Sequence, residues 1–403
     1  MANEYLKSEN TNKEKLWTVP YIYLIIINIL LGLSFSMFSP ILPLYSVSIG
    51  ASLGVAGMIS GILAVTALIV RPFSGLLSDN FNRKRVMLLG TALIAFSVIG
   101  FSFSNTVFLL FVFRIIQGAG LAISGTATIT IVSLIIPKSR MGEGISSYGL
   151  SQIIATAAGP NLGILASQKL GYQDCFYIAA VFAVMSCILM LFLRYDESAE
   201  AENKAANKGI HFSSMISLAA IPNTLVTSCF SFVNGVTGTF IVMYGMYKHF
   251  DNIGLYFIVN AGVLLVSRMV LGKISDRVKL PYVFYPSLAL GIIAVILLSI
   301  ANSIWFIIAA AALYALGQGV GQPALMAATI KKVDAGRRGI AMSTYMIGAD
   351  IGQGVGPTLG GSISEKWGYE TMFAFCSLVL ALGSGIFSIS LRKKRQPIPL
   401  IKV

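Results

Sequence analysis

The sequence predicts an all-α membrane protein, with twelve transmembrane helices in two pseudo-symmetric six-helix bundles. Three observations carry this. The 403 residues are 56% hydrophobic and only 11% charged, whereas soluble proteins average about 25% charged residues. The apolar residues gather in twelve runs, and a helix needs about 20 of them to cross a hydrocarbon core. Short motifs from the first half recur in the second at a constant separation.

The runs fall at 20–46, 52–78, 86–104, 107–136, 142–167 and 174–194. After a polar gap they resume at 215–247, 253–275, 282–301, 304–330, 339–363 and 370–391. They are continuous rather than alternating, which excludes a closed β-barrel. Residues 1–15 are polar and lead into a long apolar segment with no small-residue cleavage site, so this segment reads as an uncleaved first span. The organisation expected is a cytoplasmic tail (1–19), an N-terminal bundle (20–194), a cytoplasmic linker (195–214), a C-terminal bundle (215–391) and a basic cytoplasmic tail (392–403).

Charge placement fixes the expected orientation. With the N-terminus inside, the outer loops hold only Lys169, Lys248 and Lys366, and the spans hold Arg71, Arg114 and Arg268. Every other one of the 29 Lys and Arg falls on the cytoplasmic side, as the positive-inside rule requires. The net charge of +13 is therefore a topology signal and not a nucleic-acid footprint. Both termini are expected in the cytoplasm of a multi-pass protein of the cell membrane.

The internal repeat is specific. Arg71-Pro-Phe-Ser-Gly75-Leu-Leu-Ser-Asp79 matches Arg268-Met-Val-Leu-Gly272-Lys-Ile-Ser-Asp276, 197 positions later. Ser146-Ser147-Tyr148 matches Ser343-Thr344-Tyr345, Gly159-Pro160-x-x-Gly163 matches Gly356-Pro357-x-x-Gly360, and Gly171-Tyr172 matches Gly368-Tyr369, all at the same separation. Gln117-Gly118-x-Gly120 resembles Gln318-Gly319-x-Gly321 at a separation of 201. Two homologous bundles facing each other permit a site at their interface that opens to each side in turn by rocking.

These motifs resemble those of the major facilitator superfamily, across almost the whole chain. The segment from Gly75 to Arg85 is similar to the family's loop 2–3 signature, with Asn80 and Asn82 where Arg and Gly are usual. Arg114-x-x-Gln117-Gly118-x-Gly120 is similar to the fourth-span signature of proton-coupled members. Gly159-Pro160-x-x-Gly163 resembles the fifth-span motif of antiporters, although Ala155 and Ile164 replace usual glycines. The eleventh-span copy is fuller, with Gly352, Gly356, Pro357, Gly360 and Gly361. The resemblance implies a cytoplasmic gate at Gly75, Asp79, Arg83, Gly272, Asp276 and Arg277.

A carboxylate at Asp79 can meet the positive N-terminal end of the eleventh helix, and Asp276 that of the fifth, for ~0.3–2 kcal/mol each. The alternative is an ordinary loop ion pair with Arg83 or Arg277. Arg71 and Arg268 lie about two turns before those aspartates, close enough to snorkel to the interface. In the fifth and eleventh spans, glycines with a proline serve either a bend that changes on switching or plain close packing between the halves.

Charges deep in the bilayer are more informative, because each costs ~2.5–3.5 kcal/mol. Arg114 sits about 10 Å into its span and Asp350 about 16 Å, near the midplane. Asp350 is expected to carry the coupling proton or to pair with a cationic solute group. The other reading is a helix–helix hydrogen bond to Tyr345 or a glutamine. Arg114 is expected to be the proton-relay arginine the resemblance implies, an anchor for an anionic group, or an arginine satisfied by backbone carbonyls. Gln117, Gln152 and Gln318 lie at comparable depth. Otherwise Phe35, Phe38, Phe230, Phe232 and Tyr314 suggest apolar walls, with Asn28, Asn234 and Asn260 as sparse polar points.

The expected function is export of a small organic solute, drug-like or metabolite, in exchange for protons. Open alternatives are a proton symporter or facilitator importing a metabolite, or a transport-inactive sensor or scaffold. An enzyme is not expected, since no nucleophile–base pair or G-x4-G-K-[ST] loop is present. Cys175, Cys187, Cys229 and Cys376, with His211 and His249, make no metal-ligand spacing. No cofactor or metal is expected. The partners expected are membrane lipid, a small-molecule solute and protons, with no nucleic acid, and the chain is expected to be a monomer.

Overall fold

A computed structural model describes residues 15–137, 140–194, 217–275, 278–331, 333 and 338–393. The expected linker 195–214 and most of the basic tail lie outside the described residues, which contain α-helices and no strand. The helices are α1 (Val19–Phe38), α2 (Leu42–Ser48), α3 (Leu53–Asn80), α4 (Arg83–Ser102), α5 (Val107–Ile135), α6 (Met141–Lys169) and α7 (Tyr172–Phe192). They continue with α8 (Ile221–Tyr247), α9 (Leu255–Ser275), α10 (Leu280–Ser299), α11 (Ile304–Ile330) and α12 (Arg338–Lys393). The starts follow local chemistry. Ser52, Asn82 and Thr106 each accept a backbone N–H three residues on, capping α3, α4 and α5. Proline stands in the first turn of α1, α2, α8 and α10, where no intrahelical donor is lost.

Among the described residues, nine stretches are long and apolar enough to cross a membrane. Val19–Ser48 joins α1 and α2 through a turn at Ser39, Pro40 and Ile41. Ile340–Leu391 is two helices meeting at Gly368. The apolar part of α9, Leu255–Met269, is shorter, and α6 is 29 residues long but diluted by glycine, serine and glutamine. With α1 and α2 taken as one rod and α12 as two, the helices make twelve rods. Large apolar side chains such as Ile69, Phe96, Ile129 and Leu382 stand exposed around them, as a surface solvated by lipid requires. Trp17, Trp305 and Trp367 are exposed near rod ends, where indoles favour the membrane–water interface.

The repeat becomes a repeat of packing. In the first half α1 lies on α6 and α7, α4 on α5 and α7, and α3 on α5. In the second, α8 lies on α12, α10 on α11 and α12, and α9 on α11. The matched glycines explain themselves. A side chain at Gly118 would strike Leu63 and Thr66 of α3, and one at Gly319 would strike Leu264 and Ser267 of α9. Gly120 abuts Gly90 of α4, and Gly321 abuts Ser287 of α10. Gly171 and Gly368 take φ of 100° and 84° at equivalent corners, a conformation that glycine adopts without a Cβ penalty. The tyrosines that follow stack on Tyr45 and Tyr244, with ring centroids 5.6 and 5.8 Å apart. Both of those phenols donate to a carbonyl near the end of an adjacent helix, Ser104 and Leu298.

Candidate functional site

The halves meet along two helix pairs related by the pseudo-twofold, α3 with α12 and α6 with α9. The first is a glycine seam. Gly54, Gly57 and Gly61 of α3 face Pro357, Gly354 and Gly361 of α12 so closely that a methyl group on Gly57 or Gly61 would run into backbone carbonyls. Close approach of this kind needs small residues on both helices. At the end remote from the chain termini, the Gly54 N–H donates to Glu365 Oε2 at 2.8 Å, setting a carboxylate against the positive end of α3. We expect Glu365→Gln to weaken this closure. Thiol labelling of a Gly54→Cys probe would then be faster than with Glu365 intact, and equal labelling would show that the contact holds nothing.

Apart from Gly361, which lies in the seam, the motif glycines have a different task from the one expected if they packed the halves together. Gly159 and Gly163 of α6 abut Ser36 and Met37 of α1, while Gly352 and Gly356 of α12 abut Ser228 and Phe232 of α8. Gly360 lies against Val236 of α8. Each contact lies within one half. Thus α12 carries two small-residue faces, one for its own bundle and one for the other.

Below the seam Arg71 Nη2 reaches Asp350 Oδ1 at 3.0 Å, tying α3 to α12 across the halves. Asp350 is 8% exposed, and its Oδ2 and the Nε of Arg71 are buried without hydrogen-bond partners. Two expectations are corrected here. Arg71 turns to a carboxylate rather than snorkelling. Asp350 is not held by Tyr345, whose hydroxyl donates to the Gln322 carbonyl at 3.1 Å.

Beside this tie a cavity of about 470 Å³ lies between the halves. Arg114, Gln152, Gln318, Asn234, Asn260 and Gln353 supply its polar points, and Pro160 and Pro357 form part of its wall. Phe35 and Tyr314 also line it, as the sequence suggests, whereas Phe38 and Phe230 are buried in the cores of the two halves. Two further cavities, of about 430 and 640 Å³, extend towards the termini and share Gln353 with the first. The smaller holds Gln117, Gln152 and Asn28, and the larger holds Arg268, Asn234 and Tyr345.

Arg114 is 2% exposed. Its Nε donates to the Ile59 carbonyl at 3.2 Å and Nη1 to Gln117 Oε1 at 2.7 Å. The Phe35 and Phe38 rings flank it, each centroid 5.9 Å from Cζ. Gln318 Nε2 is 3.4 Å from Gln322 Oε1. The predicted residues therefore divide into Arg114, Gln152 and Gln318 around the central space, Gln117 and Tyr345 in the two neighbouring cavities, and Asp350 in the tie between halves. Of the expected gate, Arg83 is buried at the start of α4. Gly75, Asp79 and Gly272 lie in α3 and α9 with their surroundings outside the described residues, as are Asp276 and Arg277 altogether. Sequence reasoning missed Gln353, Glu365 and the role of Arg71. Gln353 was signalled by its place three residues after Asp350.

Two related helical bundles enclosing a polar cavity, closed at one end by a seam between them, define a membrane carrier. The sequence matches the model of the Major Facilitator Superfamily over residues 24–306 and 225–402. The chain belongs to that family, whose members are transporters and not enzymes. It is 23% identical over 365 residues to the multi-drug resistance efflux pump PmrA of Streptococcus pneumoniae, covering 88% of this chain and 91% of that one. It is 23% identical over 397 residues to the staphylopine export protein of Staphylococcus aureus, covering 94% and 97%. A crystal structure of a POT family transporter in complex with a thioalcohol-conjugated peptide superposes with TM-score 0.78 at 14% identity, covering 93% of this chain and 96% of that one.

Proposed function

We propose that this protein exports a small organic solute in exchange for protons, by alternating access between two rigid bundles, 20–194 and 215–391. The Arg71–Asp350 tie is the observation that carries this reading. It joins the two halves one helical turn from the cavity-lining Gln353, through the carboxylate that the sequence places near mid-depth. An ionised Asp350 attracts Arg71, and a protonated one does not. Separation of α3 from α12 is therefore favoured by proton uptake, and their closure by proton release. That relation is what couples a rocking motion to a proton gradient.

The similarity to proteins named as an efflux pump and an export protein supports the outward direction. The distribution of Lys and Arg supports cytoplasmic termini, which makes the open side of the cavities the cytoplasmic one. The protein works as a monomer, since each chain supplies both halves of the site. Asp79 against the N-terminal end of the eleventh span and Asp276 against that of the fifth serve as the cytoplasmic latch, within the gate set of Gly75, Arg83, Gly272 and Arg277.

Everted vesicles with an acid lumen test the exchange. A panel of aromatic amphiphiles, matched in shape and carrying a positive, a negative or no charge, is added to wild-type and protein-free vesicles. At least one member is expected to enter the wild-type vesicles against its gradient and to dissipate the pH difference. If no member moves with protons, the exchange reading fails.

A further inference from the structure

The three cavities have an unusual charge inventory. Among the described residues that line them, the only charged side chains are Arg114 and Arg268. None of these described lining residues is an aspartate or glutamate. Asp350 is not a wall residue and is engaged by Arg71.

Arg114 is poorly neutralised. A guanidinium offers five N–H donors, of which one goes to the Ile59 carbonyl and one to Gln117. The remaining three have no partner among the described residues, and no carboxylate lies within ion-pair distance. The ion pairs found there are Arg71–Asp350, Arg140–Glu143 and Lys248–Glu370. A buried cation without a counter-charge is costly, and its free donors suit the two oxygens of a carboxylate.

The pseudo-twofold supplies an independent observation. Arg268 is the counterpart of Arg71, and Ile153 the counterpart of Asp350, both 197 positions apart. One interface between the halves thus carries an arginine opposite an aspartate, and the other an arginine opposite an isoleucine. Arg268 and Ile153 line the same 640 Å³ cavity. That cavity meets the central one at Asn234 and Gln353, so Arg268, which has no ion-pair partner among the described residues, lies on a path leading towards Arg114.

We propose that the solute is an amphipathic organic anion, bound through a carboxylate or similar oxyanion at Arg114 and attracted into the cavity by Arg268. Leu63, Phe257, Leu264 and Tyr314 receive its apolar body. The central volume of about 470 Å³ suits a small organic molecule. The inference deepens the export reading and rests on it for the direction of movement, whereas the binding site is tested without any flux.

The test is equilibrium binding to the full chain in lipid nanodiscs with three matched probes, 2-naphthoate, 2-naphthamide and 2-naphthylmethylammonium. Wild-type protein is expected to bind the carboxylate at least about tenfold more tightly than the amide, and the ammonium most weakly. Arg114→Gln should remove the preference. Arg114→Lys, which keeps the charge, should retain its direction and guards against a folding artefact in the glutamine variant. Arg268→Gln should slow naphthoate association and flatten its salt dependence while leaving the equilibrium preference in place.

Equal or tighter binding of the ammonium would overturn the proposal. So would an anion preference that survives Arg114→Gln or disappears in a folded Arg114→Lys protein, or binding of none of the three probes at their solubility limits. Anion preference without proton exchange would remove the export reading and leave this site standing. Proton-coupled export of the ammonium probe would do the reverse.

Discussion

Asp350→Asn is expected to disconnect transport from the pH gradient. Asparagine keeps the size of the side chain and removes the charge that draws Arg71 across the interface. Gradient-driven flux should fall at least about tenfold, the effect of 1.4 kcal/mol, while solute exchange in the absence of a gradient persists. Folding should be little affected. The Arg71 side chain is 41% exposed and that of Asp350 only 11%, so the tie is half-buried, and asparagine keeps an oxygen in place to accept from Arg71. The exchanged double variant Arg71→Asp/Asp350→Arg restores the pair with its polarity reversed, and it should recover part of the coupling that either single change abolishes. Gradient-driven uptake in proteoliposomes, measured beside the thermal midpoint, separates these outcomes. Unchanged uptake in Asp350→Asn would assign the carboxylate a merely structural task.

Gly61→Leu is expected to stop transport without unfolding the protein, and Gly163→Leu to do the opposite. Both glycines lie against a carbonyl of another helix, Gly61 against Gly354 and Gly163 against Met37. Forcing a large side chain into such a contact costs about 1–3 kcal/mol or more. The contacts differ in what must happen to them. On the proposed cycle the α3–α12 seam parts and re-forms, so a wedge there holds the halves apart at the Glu365 end and leaves each bundle intact. The α6–α1 contact belongs to one bundle and has to survive every cycle, so a wedge there lowers the melting temperature. Flux and thermal melts of the two variants should move in opposite senses, with flux in Gly61→Leu falling on the order of 10–100-fold. Equal loss of stability in both would mean that the seam is ordinary core.

The distinction between the two glycine faces was not legible in the sequence. Gly352, Gly356 and Gly360 are spaced by four, and Gly354 and Gly361 by seven, so both sets form stripes on one helix. Spacing assigns residues to a face and does not say which neighbour that face meets. The same gap explains Arg71. Its depth was readable, and depth allowed snorkelling. Its partner lies 279 positions away in the other half, and no local pattern records that pairing. Gln353 and Asp350 illustrate the point within one turn. At about 100° per residue they point roughly 60° apart, which suffices to place one on the cavity wall and the other against α3.

The architecture, by contrast, was largely legible. Continuous apolar runs gave the helices, and the internal repeat, at separations of 197 and 201, held because paired glycines perform paired tasks. Gly171 and Gly368 turn equivalent corners, and Gly118 and Gly319 seat equivalent helices. Burial of Asp350 followed from its depth alone. The emptiness of the wall around Arg268 did not, because it depends on Ile153 occupying the place that aspartate takes in the other half.

On the proposed coupling, protonation of Asp350 releases the halves from each other at the α3–α12 seam. This release is tested most directly by a spin-label distance between Asn105→Cys and Asn302→Cys. These exposed positions are 197 apart and follow α4 and α10 at the Glu365 end, and the four native cysteines are replaced in this background. The distance distribution should shift to longer values as the pH is lowered. In Asp350→Asn it should already be long and insensitive to pH. A distribution that ignores pH in the wild-type protein, or one that responds equally in Asp350→Asn, would contradict the account.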